Sequence, residues 1–119
     1  MTQLIACLST GKGTWKEVTS LINSENWDSI FLITNDFGKE KFTSMSKKTE
    51  MIIFNFDQGL KQLRDEIKLK LKSKIRGTEV AVNFISGSGK EHMALVSALL
   101  QLGVGIRFVT HAGSGIEEI

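Results

Sequence analysis

The sequence has no proline, no tyrosine and a single cysteine in 119 residues. Without proline or any low-complexity tract, a collagen-like repeat is excluded, and no internal repeat is present. One cysteine, Cys7, can form neither an internal disulfide nor a multi-thiolate metal site, so a disulfide scaffold is excluded and a reducing cytoplasmic setting is expected. No apolar run approaches the roughly 20 residues of a membrane span, and no signal-peptide pattern opens the chain, so no membrane partner is expected. Net charge is only +2, too little for a protein that coats duplex nucleic acid. The nine aromatics, seven Phe and two Trp, fall mostly in apolar runs, which argues against the exposed stacking platform of a single-strand binder.

What remains is an ordinary balance, 41% hydrophobic and 24% charged, enough to fold residues 1–119 as one domain. Charge is placed unevenly. Lys61, Arg64, Lys68, Lys70, Lys72, Lys74 and Arg76 crowd residues 58–76 against Asp65 and Glu66 alone. That run reads either as a solvated helix face or as an electropositive rim for an anion.

Short apolar runs alternate with longer amphipathic ones. Gln3–Leu8, Ser29–Thr34, Glu50–Phe56, Glu79–Ile85 and Ile106–Thr110 read as strands, several apolar on both faces as in a sheet covered by two helical layers. Helices are expected over Thr14–Asn23, from an Asp57 cap through Ile75 to a stop at Gly77, and over Lys90–Leu102. Asn35–Gly38 reads as a turn, Phe42–Lys48 as a poor helix or loop, and His111–Ile119 as a tail. The pattern β-α-β-(α)-β-α-β-α-β calls for an α/β fold: a Rossmann-like three-layer sandwich with a five-stranded, mainly parallel sheet. Strand order 3-2-1-4-5 is favoured over 2-1-3-4-5. It brings the loops after strands 1 and 4 together at the switch point, and these are the loops richest in Gly, Ser and Thr.

The loop after strand 4, Ser86-Gly87-Ser88-Gly89-Lys90, feeds straight into a helix carrying His92. It offers backbone N–H groups, two hydroxyls and an ammonium to a phosphate, or is simply a tight turn. It is not a Walker A loop: Phe84 stands where a glycine is needed, and Glu91 where a magnesium-holding hydroxyl is needed. The loop after strand 1, Ser9-Thr10-Gly11-Lys12, fails the same test, and its glycines lack dinucleotide spacing. Asn35 and Phe37 follow strand 2 and either form a turn or line the base or ribose end of a nucleotide pocket. His92 and His111 have no partners at metal-ligand spacing, so no metal and no cofactor is expected. Cys7 reads as inert core and Trp27 as packed on the sheet. The helix Met93–Leu102 is apolar nearly all round, which calls for a second cover, most simply a homodimer contact.

With both loops assembled, the chain resembles a stand-alone CRISPR-associated Rossmann fold (CARF) domain. The likeness runs from strand 1 through Val109. Ser86, Gly87 and Lys90 match the Thr-Gly-Gly-Thr-Lys-like turn in type, while Ser88 and Gly89 reverse its order; Met93 and Ala94 follow in the helix, and Ser9 and Thr10 fill the first-loop positions. The resemblance implies a homodimer binding a cyclic oligoadenylate across its two-fold axis, in CRISPR-linked antiviral signalling. It also implies a metal-independent ring-nuclease option, with the ribose 2′-hydroxyl as nucleophile, Lys90 stabilising charge and Ser9 positioning the ribose. The alternative is a non-enzymatic module for another phosphorylated ligand or a protein partner. A phosphotransfer receiver is disfavoured, because Ser9 and Thr10 stand where an acidic cluster belongs.

Overall fold

A computed structural model describes residues 2–8, 12–42, 48–113 and 115–119. Six strands form one sheet: β1 (Gln3–Cys7), β2 (Ser29–Thr34), β3 (Thr49–Ile53), β4 (Glu79–Asn83), β5 (Gly105–Ala112) and β6 (Gly115–Glu118). Four helices connect them: α1 (Trp15–Asn23), α2 (Asp36–Lys41), α3 (Leu60–Lys72) and α4 (Gly89–Gln101). The strand order is β3-β2-β1-β4-β5-β6, parallel from β3 to β5. The expected 3-2-1-4-5 order therefore stands, with one strand added.

Why the strands sit in the middle is legible in their side chains. Every residue of β1 is buried, because successive residues point into two different cores. On one face Ile5, Cys7, Ile33, Ile52 and Val82 meet Leu63, Ile67 and Leu71 of α3 and Ala94, Leu95, Ala98 and Leu99 of α4. On the other, Leu4, Ala6, Leu8, Leu32 and Ala81 meet Val18, Leu21 and Ile22 of α1, with Trp27 and Phe42. Trp27 packs there as expected and spends its indole N–H on the Leu21 carbonyl at 3.0 Å.

Four expectations are corrected. The tail is not irregular: β6 pairs antiparallel with β5, Thr110 opposite Glu117 and His111 opposite Ile116, and Arg107 ties the hairpin through Glu118 at 2.8 Å. Asn35–Gly38 is not a free turn but the start of α2, where the Asn35 side chain accepts the Gly38 N–H at 3.1 Å. Asp57 does not cap α3, which starts at Leu60; Gln62 reaches back to the Gly59 N–H at 3.3 Å instead. β3 ends at Ile53 rather than running to Phe56, so 54–59 becomes a loop that starts beside the end of β2, where the Phe54 N–H donates to the Thr34 carbonyl at 2.9 Å. The segment 43–47 and residues 9–11 lie outside the described residues.

Candidate functional site

All five parallel strands end on the same edge, and β1 and β4 are hydrogen-bonded neighbours there, Ala6 opposite Asn83. The β4–α4 turn rests directly on the end of β1. A Cβ added at Gly87 would lie 3.1 Å from Cys7 Cβ and 2.8 Å from His92 Nε2, and Gly87 has φ +104°. Only glycine fits that approach and that dihedral together. The β4–α4 turn is thus beside the end of β1, while Ser9, Thr10 and Gly11 of the first loop lie outside the described residues. Lys12 opens a short 3-10 turn that leads into α1.

Around the turn Ser88, Lys90 and His92 each have a definite partner. Ser86 is buried, and its carbonyl meets His92 Nε2 at 2.8 Å. His92 in turn stacks flat on Phe84, centroids 4.3 Å apart, and Phe84 meets Phe108 edge-on at 5.5 Å. His92 thereby clamps the turn to the first coil of α4. Ser88 and Glu91 form a capping box: the Glu91 carboxylate accepts the Ser88 N–H at 2.9 Å and the Ser88 hydroxyl as well. Gly89 is the first residue of α4. Lys90 does not stand over the turn: its ammonium donates to the Phe56 carbonyl in the β3–α3 loop at 2.7 Å. So the hydroxyl and the ammonium that sequence reading assigned to a phosphate are engaged internally, by Glu91 and by Phe56.

Glu91 and Phe56 are the site residues that sequence reading missed. A signal for Glu91 existed, since Ser-x-x-Glu ahead of an apolar run is a capping-box pattern. None existed for Phe56, which is 34 residues from Lys90. Glu91 is also buried, beside the β1 end. Burial foremost, and the Glu91 carboxylate secondarily, push the Cys7 thiol far up, so it stays protonated and inert as expected.

Asn35 and Phe37 stand further along the same edge. Phe37 lies 6.0 Å from the Trp15 ring, and Trp15 contacts Phe42 edge-on at 5.6 Å. Both Asn35 and Phe37 border a cleft of about 440 Å³ between the loops after β2 and β3. A larger cleft of about 540 Å³ lies at the opposite, amino-terminal edge. Its polar groups are paired with one another: Gln3 bonds Ser29, the Lys74 carbonyl and the Arg76 N–H, and Lys74 meets Glu50 at 2.7 Å. The basic run of residues 58–76 spans the molecule between the two edges, because a 13-residue helix is about 20 Å long. Lys70 reaches the carboxyl edge, donating to Ile53 O at 3.0 Å and lying 4.6 Å from the centre of the Phe54 ring. Lys74 and Arg76 border the other edge.

The outer surface of α4 is apolar. Met93 and Leu100 are 61% and 65% exposed, and with Phe84 and Val96 they border a shallow groove. Among the described residues no cluster of His, Cys, Asp or Glu is arranged to hold a metal, and no helix is long and apolar enough to cross a membrane.

No family model matches this sequence, and no curated protein matches it. Solved structures do. A chain of Enterococcus italicus Csm6, determined bound to cyclic hexa-2'-fluoro-hexa-dAMP, superimposes with a TM-score of 0.57 at 11% identity, over 95% of this chain. This chain spans 34% of the length of that one. At that identity the likeness is one of fold, a Rossmann-like sandwich with a mostly parallel sheet.

Proposed function

We propose that this chain binds a cyclic oligoadenylate as a homodimer, with the β4–α4 turn and the loop after β1 facing the ring of phosphates. The observation that supports the proposal is the seating of the β4–α4 turn on the end of β1 at the β1/β4 switch point, in a fold matched by a ligand-bound Csm6 chain. Lys90 is the residue expected to respond. Its ammonium now bonds a neutral carbonyl, and a phosphate oxygen would replace that acceptor with an anionic one, adding Coulomb attraction between opposite charges.

The dimer reading is supported by α4. Its outward residues Met93, Val96, Ser97 and Leu100 carry no charge and recur at helical spacing, so the stripe is complementary to its own copy about a two-fold axis. The basic α3 surface would instead repel a copy of itself. Binding ranks ahead of ring cleavage because the described side chains near the turn that could act as general base to a ribose hydroxyl are engaged. Cys7 is protonated, His92 is held by Phe84 and Ser86, and Glu91 is held by Ser88.

The test is native mass spectrometry with cyclic tetra-adenylate and cyclic hexa-adenylate, with chromatography of the released nucleotide. A dimer carrying one intact ring is expected, and Lys90→Ala should lose the ring while keeping the fold. Cutting by the 2′-hydroxyl gives a linear isomer of unchanged mass, so chromatography rather than mass reports cleavage. A linear product would make the chain a ring nuclease. A folded protein that takes up neither ring refutes the proposal and leaves the module for another ligand or a protein partner.

A further inference from the structure

We infer that the outer face of α3 is a docking surface for an acidic helix of a partner protein, apart from the proposed ring site and from the apolar face of α4. α3 carries five cations, Lys61, Arg64, Lys68, Lys70 and Lys72, against Asp65 and Glu66. All but Lys70 fall along one line of the helix, because three, seven and eleven residues are close to one, two and three turns. The opposite side of α3 belongs to the core, where Leu63, Ile67 and Leu71 are wholly buried. The line of cations runs along the solvent side for about 16 Å, from the exposed Lys61 to the exposed Lys72.

This arrangement works against the helix on its own. Lys61 and Arg64, Arg64 and Lys68, and Lys68 and Lys72 are like-charged neighbours three or four residues apart, and each pair repels. Lys61 stands in the first turn, where the helix dipole disfavours a cation, and no acidic residue shares that turn. The chain neutralises little of the line itself. Arg64 meets Asp65 at 2.8 Å, while Glu66 is spent on Lys70 at 3.3 Å and on Gln58 at 2.6 Å. Lys68 finds only the neutral Gln101 amide, at 3.3 Å, and Lys61 and Lys72 have no hydrogen-bond or ion-pair partner among the described residues. Three ammoniums on one line thus lack a carboxylate.

The occupant follows from what surrounds the line. Leu69 is 73% exposed and lies one turn from both Asp65 and Lys72 on the same outer face. A nucleic-acid backbone has no apolar counterpart for Leu69 and would meet the exposed Asp65 carboxylate, and α3 has no aromatic ring on which a base could stack. A lipid surface calls for a whole apolar face, and this one is charged around a single leucine. A second copy of α3 would bring the same cations. A partner α-helix repeats with the same 5.4 Å pitch. Carboxylates along one of its lines, with an apolar residue beside them, can therefore meet Lys61, Lys68, Lys72 and Leu69 together.

The test titrates the full chain onto a labelled synthetic helical peptide and follows fluorescence anisotropy. The peptide has glutamates along one line, at i, i+7 and i+11, with leucine at i+8. It should bind about tenfold more tightly than a peptide of the same composition whose glutamates are spread round the helix. Lys61→Gln/Lys72→Gln and Leu69→Ser, all at exposed positions, should each weaken binding about tenfold while the urea midpoint stays nearly unmoved. Equal affinity for the two peptides, no binding of either, or variants that bind as the wild type does, overturns the docking surface. So does a single-stranded oligonucleotide or a phosphatidylserine vesicle that binds as tightly as the peptide and loses nothing in Leu69→Ser.

Discussion

Replacing Gly87 by alanine should be among the most damaging single-methyl changes in this molecule, and its cost can be built from three parts. The backbone sits at φ +104°, where an L side chain costs about 1–2 kcal/mol. The new Cβ would stand 3.1 Å from Cys7 Cβ, a side chain fixed in a fully buried strand that cannot yield without moving β1. It would also lie 2.8 Å from His92 Nε2, which can swing away only by giving up its 2.8 Å bond to the Ser86 carbonyl, a loss of about 1 kcal/mol. The sum is about 2–4 kcal/mol. With a urea m-value of about 1–2 kcal/mol/M for a chain of this size, the midpoint should drop by roughly 1–4 M at unchanged m. Gly103→Ala is the control, because Gly103 has φ +73° and no atom within 4 Å of an added Cβ. It should cost only the dihedral share, about 1 kcal/mol. Urea unfolding followed by tryptophan fluorescence measures both. Equal midpoint shifts for the two variants would refute the claim that the β4–α4 turn is seated on β1 and His92.

Glu91→Ala should cost about 1 kcal/mol through loss of the capping box, and Glu91→Gln less, since an amide oxygen still accepts from Ser88; denaturant midpoints check the order. The Cys7 thiol ionises near 9.0 in the unfolded chain and much higher when folded, so the folded state holds its proton longer. That stability is complete below pH 9.0 and declines above it by about 1.4 kcal/mol per pH unit, a slope that Cys7→Ala should remove in unfolding curves taken from pH 8 to pH 10.5. Leu95 is wholly buried between α4 and the sheet, and Leu95→Ala should cost about 2–5 kcal/mol by the same assay. Leu100→Asp, 65% exposed at the native position, should leave that midpoint nearly unmoved while converting the proposed dimer to monomer in light scattering.

The sequence by itself determined where most of the sheet lies and why. Ser29–Thr34 is a strand end to end as its two-sided apolar pattern requires, and the alternation of such runs with amphipathic helices left few topologies to choose from. The Gly/Ser-rich turn after β4 and its place beside β1 were legible for the same reason: glycine spacing and strand order are local and topological facts. Tertiary structure decided what local pattern does not encode. β6 has one apolar residue, Ile116, and becomes a strand because β5 presents an open edge with backbone groups to pair. Asp57 is an adequate cap by composition, yet its N–H is taken by Asn55 and the helix begins three residues later, at Leu60. Lys90 shows the limit most clearly. A lysine after a Gly/Ser turn reads as a phosphate donor. The folded chain brings the Phe56 carbonyl within 2.7 Å, and the half-buried ammonium takes the partner that packing supplies.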